Sequence, residues 1–387
     1  MKKSLIALAA FAAVGAASAQ SSVTLYGIMD AGITRDSGGL AGASGVTRLD
    51  SGIASGTRFG LRGTEDLGGG LKANFVAETG FCGDSNVNAN SGGAATPNAN
   101  QNGGNAPGFC TGGNAFMGRQ AFVGVEGGFG RVDLGRQLTP AFLLLGALDP
   151  FQTGTAGQIT NLFDSAGGYA AAGANSANPR MNNTVKYSSA NLSGFTAQVA
   201  YGLGENAGNS TLSRNVGFHA AYSNGPIYAG VGYHDAKSNA LVGGVQDGRK
   251  NVLFGATYDF EVAKAHFAYG TTKNVVAQAA FTPAQIANPG ATSFNNGDGR
   301  NMMIGVSAPV GPGSLRASYL RHDDKGVNNF DSNQVGVGYF YSLSKRTTLY
   351  TAYAKISAKN GAFQTVGNAG NGGIGNSAFN VGARHSF

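Results

Sequence analysis

The sequence predicts an all-β fold: a sixteen-stranded antiparallel transmembrane β-barrel. Three observations predict it. Apolar and polar residues alternate with period two in segments of about ten residues, the length that crosses a bilayer at a tilt. Short Gly- and Asn-rich joins alternate with long polar ones. The composition has 64 Gly, 23 Phe and 14 Tyr, no Trp and only 12% charged residues, which suits many strands and tight turns.

The first segment is a targeting sequence. Lys2 and Lys3 precede an apolar run from Leu5 to Gly15, and Ala17-Ser18-Ala19 has the small-x-small cleavage signature. Cleavage after Ala19 leaves a single domain over 20–387. Loss of Lys2 and Lys3 lowers the formal charge from +7 to about +5. No apolar run in the mature chain reaches the length of a membrane helix.

Sixteen strands follow: 23–33, 54–63, 71–80, 115–125, 130–136, 180–189, 194–202, 213–223, 226–236, 249–259, 262–272, 299–308, 313–323, 332–342, 346–357 and 376–387. In 23–33, Leu25, Met29 and Ala31 oppose Tyr26, Ile28 and Asp30. In 57–63, Phe59 and Leu61 oppose Arg58 and Arg62. In 71–79, Leu71, Ala73, Phe75 and Ala77 oppose Lys72, Asn74 and Glu78. In 180–189, Met181, Val185 and Tyr187 oppose Arg180, Asn182, Thr184 and Lys186. Alternation in 115–125 is imperfect, because Gln120 falls opposite Arg119 and beside Phe122.

The joins sort by length. TEDLGGG, EGGFG, SNGP and PVGPG carry the turn residues of hairpins. The segments 34–53, 81–114, 137–178, 237–248 and 273–298 are long. Strict alternation of the two sizes places all tight turns at one end and all long loops at the other. A soluble sandwich would have shorter strands and more charge on its polar face. In lipid the apolar face turns outward, and the sheet must close to leave no unpaired edge. Sixteen strands enclose an aqueous channel. The last strand ends on Phe387, an aromatic suited to closing the barrel at a membrane interface.

Cys82 and Cys110 share one polar segment of an exported chain, so a disulfide between them is expected; the alternative is two unrelated thiols. Zinc is poorly supported, because no histidine lies near either cysteine.

Taken together, SSVTLYGIMDAGI (21–33), TRFGLRGTEDLGGGLKANFVAETG (57–80), FMGRQAFVGVEGGFGRVDLGRQLTPAF (116–142), LDPF (148–151), MNNTVKYSS (181–189) and NVGARHSF (380–387) resemble the general porins of Gram-negative outer membranes, of the type common in β-proteobacteria. The resemblance covers essentially the whole mature chain. It implies a homotrimeric barrel in contact with outer-membrane lipid and lipopolysaccharide, assembled by the barrel assembly machinery through Phe387. It implies that the third long loop, 137–178, folds inward. It also implies arginines on one wall, Arg58, Arg119 and Arg180, faced by the acids Glu78 and Asp149. Arg62, Lys72 and Lys186 are further candidates for the lumen. Opposed rows of fixed charge set a transverse field across a narrow aqueous gap. Small hydrophilic solutes and ions would diffuse through passively, with a weak preference for anions. A substrate-specific channel and a surface barrel with an adhesive or structural role stay open as alternatives.

Other functions find little support. His322-Asp323-Asp324 is the only tight His–acid cluster, and no nucleophile accompanies it. The same acids could hold calcium, although solvated charges are the simpler reading. No catalytic residue, resident metal or cofactor is assigned. Basic residues are scattered over strands rather than clustered, which argues against nucleic acid.

Overall fold

The computed structural model describes residues 22–39, 45–84, 116–163, 179–242, 245–273, 298–326, 329–359, 364–369 and 375–387. The first strand segments are β1 (Ser22–Gly39), β2 (Val46–Ser51), β3 (Arg58–Gly68), β4 (Leu71–Gly80), β5 (Gln120–Gly127), β6 (Gly130–Leu138) and β7 (Arg180–Ser188). Next come β8 (Phe195–Gly202), β9 (Asn215–Asn224), β10 (Ile227–Val242), β11 (Val245–Asp259) and β12 (Lys264–Lys273). The last are β13 (Gly299–Val310), β14 (Gly313–Asp324), β15 (Ser332–Ser342), β16 (Thr347–Ala358) and β17 (Gly375–Ser386). Between β6 and β7 lie a helix, α1 (Pro140–Leu148), and a short 3-10 turn, Ile159–Asn161.

Each strand pairs antiparallel with its sequence neighbour, and β17 pairs with β1 from Ile28↔Ser386 to Gly39↔Gly375. The sheet therefore closes. Seventeen described segments make sixteen staves, because β2 and β3 pair with successive parts of β1 and share one stave. The break between them, residues 52–57, is held by Asp30. Its carboxylate accepts the amides of Ala54 (3.0 Å) and Ser55 (2.8 Å) and the hydroxyl of Tyr350. The chain terminus completes the closure: Gly27 and Phe387 exchange backbone hydrogen bonds at 3.1 Å each.

Fifteen of the sixteen predicted strands have a matching stave within a few residues, and the sixteenth, 54–63, is the lower part of the broken stave. Two long loops prove shorter than expected. β1 runs to Gly39, with β2 lying inside the expected loop 34–53. β10 and β11 continue as a hairpin through most of 237–248. In both places the backbone ladder keeps pairing beyond the apolar band, where the polar sequence gives no alternation to read.

The barrel is apolar outside and polar inside. Val23, Leu25, Leu61, Phe75, Val123, Val185, Phe254, Ile304, Val335 and Val381 are all exposed on the outer face. The packed core lies inside instead. Leu144, Leu145 and Leu148 of α1, with Ile159 and Leu162, pack against Leu253, Ala268, Met303, Leu320 and Ile356 of the wall. Full burial of each such leucine contributes about 1.5–3 kcal/mol. Glycine makes the seat: a Cβ at Gly230 would lie 2.6 Å from Leu144 Cδ1, and one at Gly255 2.6 Å from Leu148 Cδ1.

Candidate functional site

Glu78 organises the inner wall. It sits on β4, opposite Gly60 of β3 and Gln120 of β5. Its Oε1 accepts Arg119 Nε at 2.7 Å, and its Oε2 lies 3.5 Å from Arg58 Nε. The Tyr26 hydroxyl donates to Oε2 at 3.0 Å. Only 5% of Glu78 is exposed, so three donors satisfy a carboxylate that burial would otherwise penalise. Arg58 and Glu78 therefore share one wall in direct contact. They do not face each other across the lumen as the sequence had suggested, because neighbouring strands place same-face side chains only ~5 Å apart.

Arg119 reaches this cluster from outside its strand. β5 begins at Gln120, and Met117 has a positive φ of 61°. The chain turns there, so strand alternation does not govern Arg119. Arg180 begins β7 and lies within electrostatic reach of Arg119, Arg136, Glu78 and Arg58. Asn183 (φ 51°) shifts the phase of β7. Thr184 and Lys186 are buried inside as expected, but Met181, expected on the apolar outer face, is only 1% exposed and also turns inward. Arg62 stacks on the Tyr26 ring with its guanidinium carbon 5.2 Å from the centroid. Lys72 stands near the short-turn end, paired in register with Asp66 and Glu126.

Asp149 departs from expectation. It caps the C-terminus of α1 and is 2% exposed. Its carboxylate accepts the amides of Phe151 (3.0 Å), Thr153 (2.8 Å) and Ile159 (3.0 Å). Burial pushes its carboxyl up to about 6, against the pull of those three donors and of Arg316. The acid knits the loop together and does not present a charge to the channel. The loop around it is set by local rules. The Thr139 hydroxyl caps α1 by accepting Phe142 N at 3.1 Å, Pro140 opens the helix, and Pro150 forbids its continuation.

Wall side chains bolt this loop down. His266 Nδ1 lies 3.0 Å from Leu148 O, Arg316 donates to Pro150 O at 3.0 Å, and Asn380 Oδ1 accepts Ala156 N at 2.6 Å. Gln334 donates to Gly157 O and Gln158 O and accepts from Asn161. Ile53 O, in the break of the second stave, accepts Thr155 N at 2.7 Å.

Sequence reasoning missed three arginines. Arg136 donates to Gly118 O at 2.6 Å and to Asn182 Oδ1. Arg316 lies over the Phe340 ring at 3.9 Å. Arg384 is paired in register with Asp30 and lies within electrostatic reach of Arg58. The polar-face position of Arg384 in NVGARHSF was a usable signal. Arg136 had none, because a register shift follows Gly135. Cys82 is disulfide-bonded; Cys110 lies outside the described residues. Asp324 accepts the amides of Gly326 and Phe330, and Asp323 pairs with Lys325 at 2.6 Å, so both acids serve the loop after β14.

Known proteins resemble this chain over its whole length. Residues 4–361 match the family described as Gram-negative porin. Outer membrane porin protein 32 of Delftia acidovorans is 36% identical over 397 residues, covering 100% of both chains. An outer membrane porin of Bordetella pertussis is 34% identical over 426 residues, also covering 100% of both. Among solved structures, an anion-selective porin from Comamonas acidovorans superposes with a TM-score of 0.72 at 32% identity, covering 95% of this chain and 100% of that one. The chain thus belongs to the Gram-negative porin family, and its place is the cell outer membrane.

Proposed function

We propose that this porin forms a water-filled channel for passive diffusion of small hydrophilic solutes and ions, with a weak preference for anions. One observation carries the preference: Arg58, Arg119, Arg136 and Arg180 gather on one wall around a single carboxylate, Glu78. The surplus of fixed positive charge sits beside the loop packed on the inner wall, where low-dielectric surroundings focus its field. The anion selectivity named for the Comamonas relative agrees with this reading. In this proposal 137–178 is the constriction loop, and Arg62, Lys72 and Lys186 extend the positive lining towards the periplasm. The side chains at this site bind and steer ions; no bond-making chemistry is assigned to them.

The mature chain would begin after cleavage at Ala19 and assemble as a homotrimer, as the trimer form of a Vibrio cholerae barrel of the same fold does. Phe387, paired to Gly27, would be the signal read by the barrel assembly machinery. Lipopolysaccharide would be its neighbour in the outer leaflet.

Reversal potentials across planar bilayers in a KCl gradient test the assignment. Arg58→Glu with Arg180→Glu should turn the preference towards cations. An unchanged preference in channels that still open would remove these residues from the selective site.

A further inference from the structure

The short-turn end of the barrel carries a cleft of about 490 Å³ between two neighbouring turns. Gly225 and Pro226, between β9 and β10, form one side. Tyr258, Asp259, Phe260 and Glu261, where β11 turns into β12, form the other. Pro226 O accepts Asp259 N at 2.9 Å and fixes the two turns side by side. Tyr258 has the parity of the exposed Val252 and Phe254, so it belongs to the lipid-facing row. The Phe260 ring lies 4.5 Å from it, centroid to centroid. The cleft therefore joins the apolar outer face to two carboxylates.

Glu261 occupies a strained place. Its φ is 69°, and Val262 N donates to Phe260 O at 2.8 Å. An i→i+2 bond around a residue of positive φ is the rare form of the γ-turn. The hairpins at Gly69, Gly225 and Gly311 put glycine where φ is positive, which removes the penalty of a Cβ. Here a glutamate stands instead. Its neighbour Asp259 is already engaged: Oδ1 accepts Glu261 N at 2.9 Å, and Oδ2 lies 3.4 Å from Lys264 Nζ. Among the described residues, Glu261 joins no ion pair.

One uncompensated carboxylate thus borders two aromatic rings, with the Lys264 ammonium close by. Rings and carboxylate both attract a cation, and Lys264 attracts an anion. The lipid-facing row that ends on Tyr258 adds an apolar surface. We propose that this cleft holds the headgroup of a zwitterionic phospholipid with a primary ammonium, drawn from the leaflet at the short-turn end. The ammonium donates to Glu261 and lies against Tyr258 and Phe260, the phosphate meets Lys264, and the acyl chains run along Val252 and Phe254. The proposal rests on the outer-membrane placement with short turns towards the periplasm.

The test uses the full-length protein folded in neutral detergent and native mass spectrometry. The probes are phosphatidylethanolamine, phosphatidylcholine and phosphatidylglycerol with identical acyl chains. Phosphatidylethanolamine should be retained about fivefold better than phosphatidylcholine, which has no N–H to donate, or phosphatidylglycerol, which has no cation. Glu261→Gln should remove that advantage. Glu261→Gly should remove it too while raising the thermal midpoint, because glycine relieves the turn. Phe260→Leu keeps the apolar bulk and should weaken only the two cationic headgroups. Equal retention of the three lipids by the wild type, or a wild-type preference in Glu261→Gly, would overturn the proposal. Conductance of the same preparations in phosphatidylcholine bilayers keeps the two readings apart: closed wild-type channels would sink the diffusion function and leave the lipid site standing.

Discussion

Replacing Glu78 with Gln isolates the balance of charge at the inner wall. The substitution keeps the shape and one acceptor but removes the one carboxylate that, among the described residues, pairs with Arg58 and Arg119. Arg58 Nε lies 3.5 Å from Glu78 Oε2, and an anion on the far edge of that guanidinium sits about 7 Å from the carboxylate. At 7 Å in water the lost repulsion is about 0.6 kcal/mol, reduced to ~0.3 kcal/mol by screening at 0.1 M salt. A cation at the same place loses an equal attraction. The anion-to-cation permeability ratio should therefore rise by a free energy of ~0.6 kcal/mol, or nearly threefold. Reversal potentials in a tenfold KCl gradient read this directly, and the shift should shrink as total salt rises. Freed arginines repel one another, so a stability loss of ~1–2 kcal/mol is also expected; the side chains of Arg58 and Arg119 are 22% and 18% exposed, so solvent limits the cost below that of a fully buried pair. A reversal potential that stays put, or moves towards cations, would refute the idea that this cluster sets selectivity.

Three other outcomes follow from the loop and the turns. Leu145→Ala, at a fully buried position of α1, should cost about 2–5 kcal/mol of packing; single-channel records should show a noisier, larger conductance as the loop loosens, and an unchanged trace would mean that the loop does not limit flow. The buried Asp149 carboxyl titrates at about 6, above its ordinary value of 3.8. Its folded state binds the proton more tightly, so the loop should be most stable below pH 4 and lose that contribution as pH rises through 6. Amide exchange of residues 151–159, corrected for its intrinsic pH dependence, should be slower at pH 5 than at pH 7.5 in the wild type but not in Asp149→Asn. Finally, Gly68, Gly69 and Gly70 all have positive φ, at 81°, 61° and 80°. Gly69→Val should cost ~1–2 kcal/mol in a turn that touches nothing else, lowering the thermal midpoint without altering conductance.

The barrel was legible in the sequence because its rule is local. Whether a strand residue faces lipid or water depends on parity alone, so Leu61 and Arg62, or Val185 and Lys186, declare themselves without knowledge of any partner. Parity fails where one residue leaves the extended region. Met117 and Asn183 have positive φ and carry Arg119 and Met181 off the faces that counting assigns them. Met117 carries no preference for that conformation, and Asn183, which tolerates it, does not break a strand pattern as proline would.

The site was less legible because alternation says which face a charge takes and nothing about how far it stands from another. Arg58 and Glu78 share a face, and that reading was correct. Their separation follows from hairpin register, Gly60↔Glu78, and register makes them wall neighbours rather than opposites. Asp149 fails for a related reason. In LDPF it resembles a free loop acid, but the proline after it ends α1 and folds the next ten residues back around it. Three amides then converge on the carboxylate. A carboxylate that satisfies three amides has little left to offer a passing ion. In the proposed channel the charge that selects would come instead from the arginines of the inner wall, which outnumber Glu78 there.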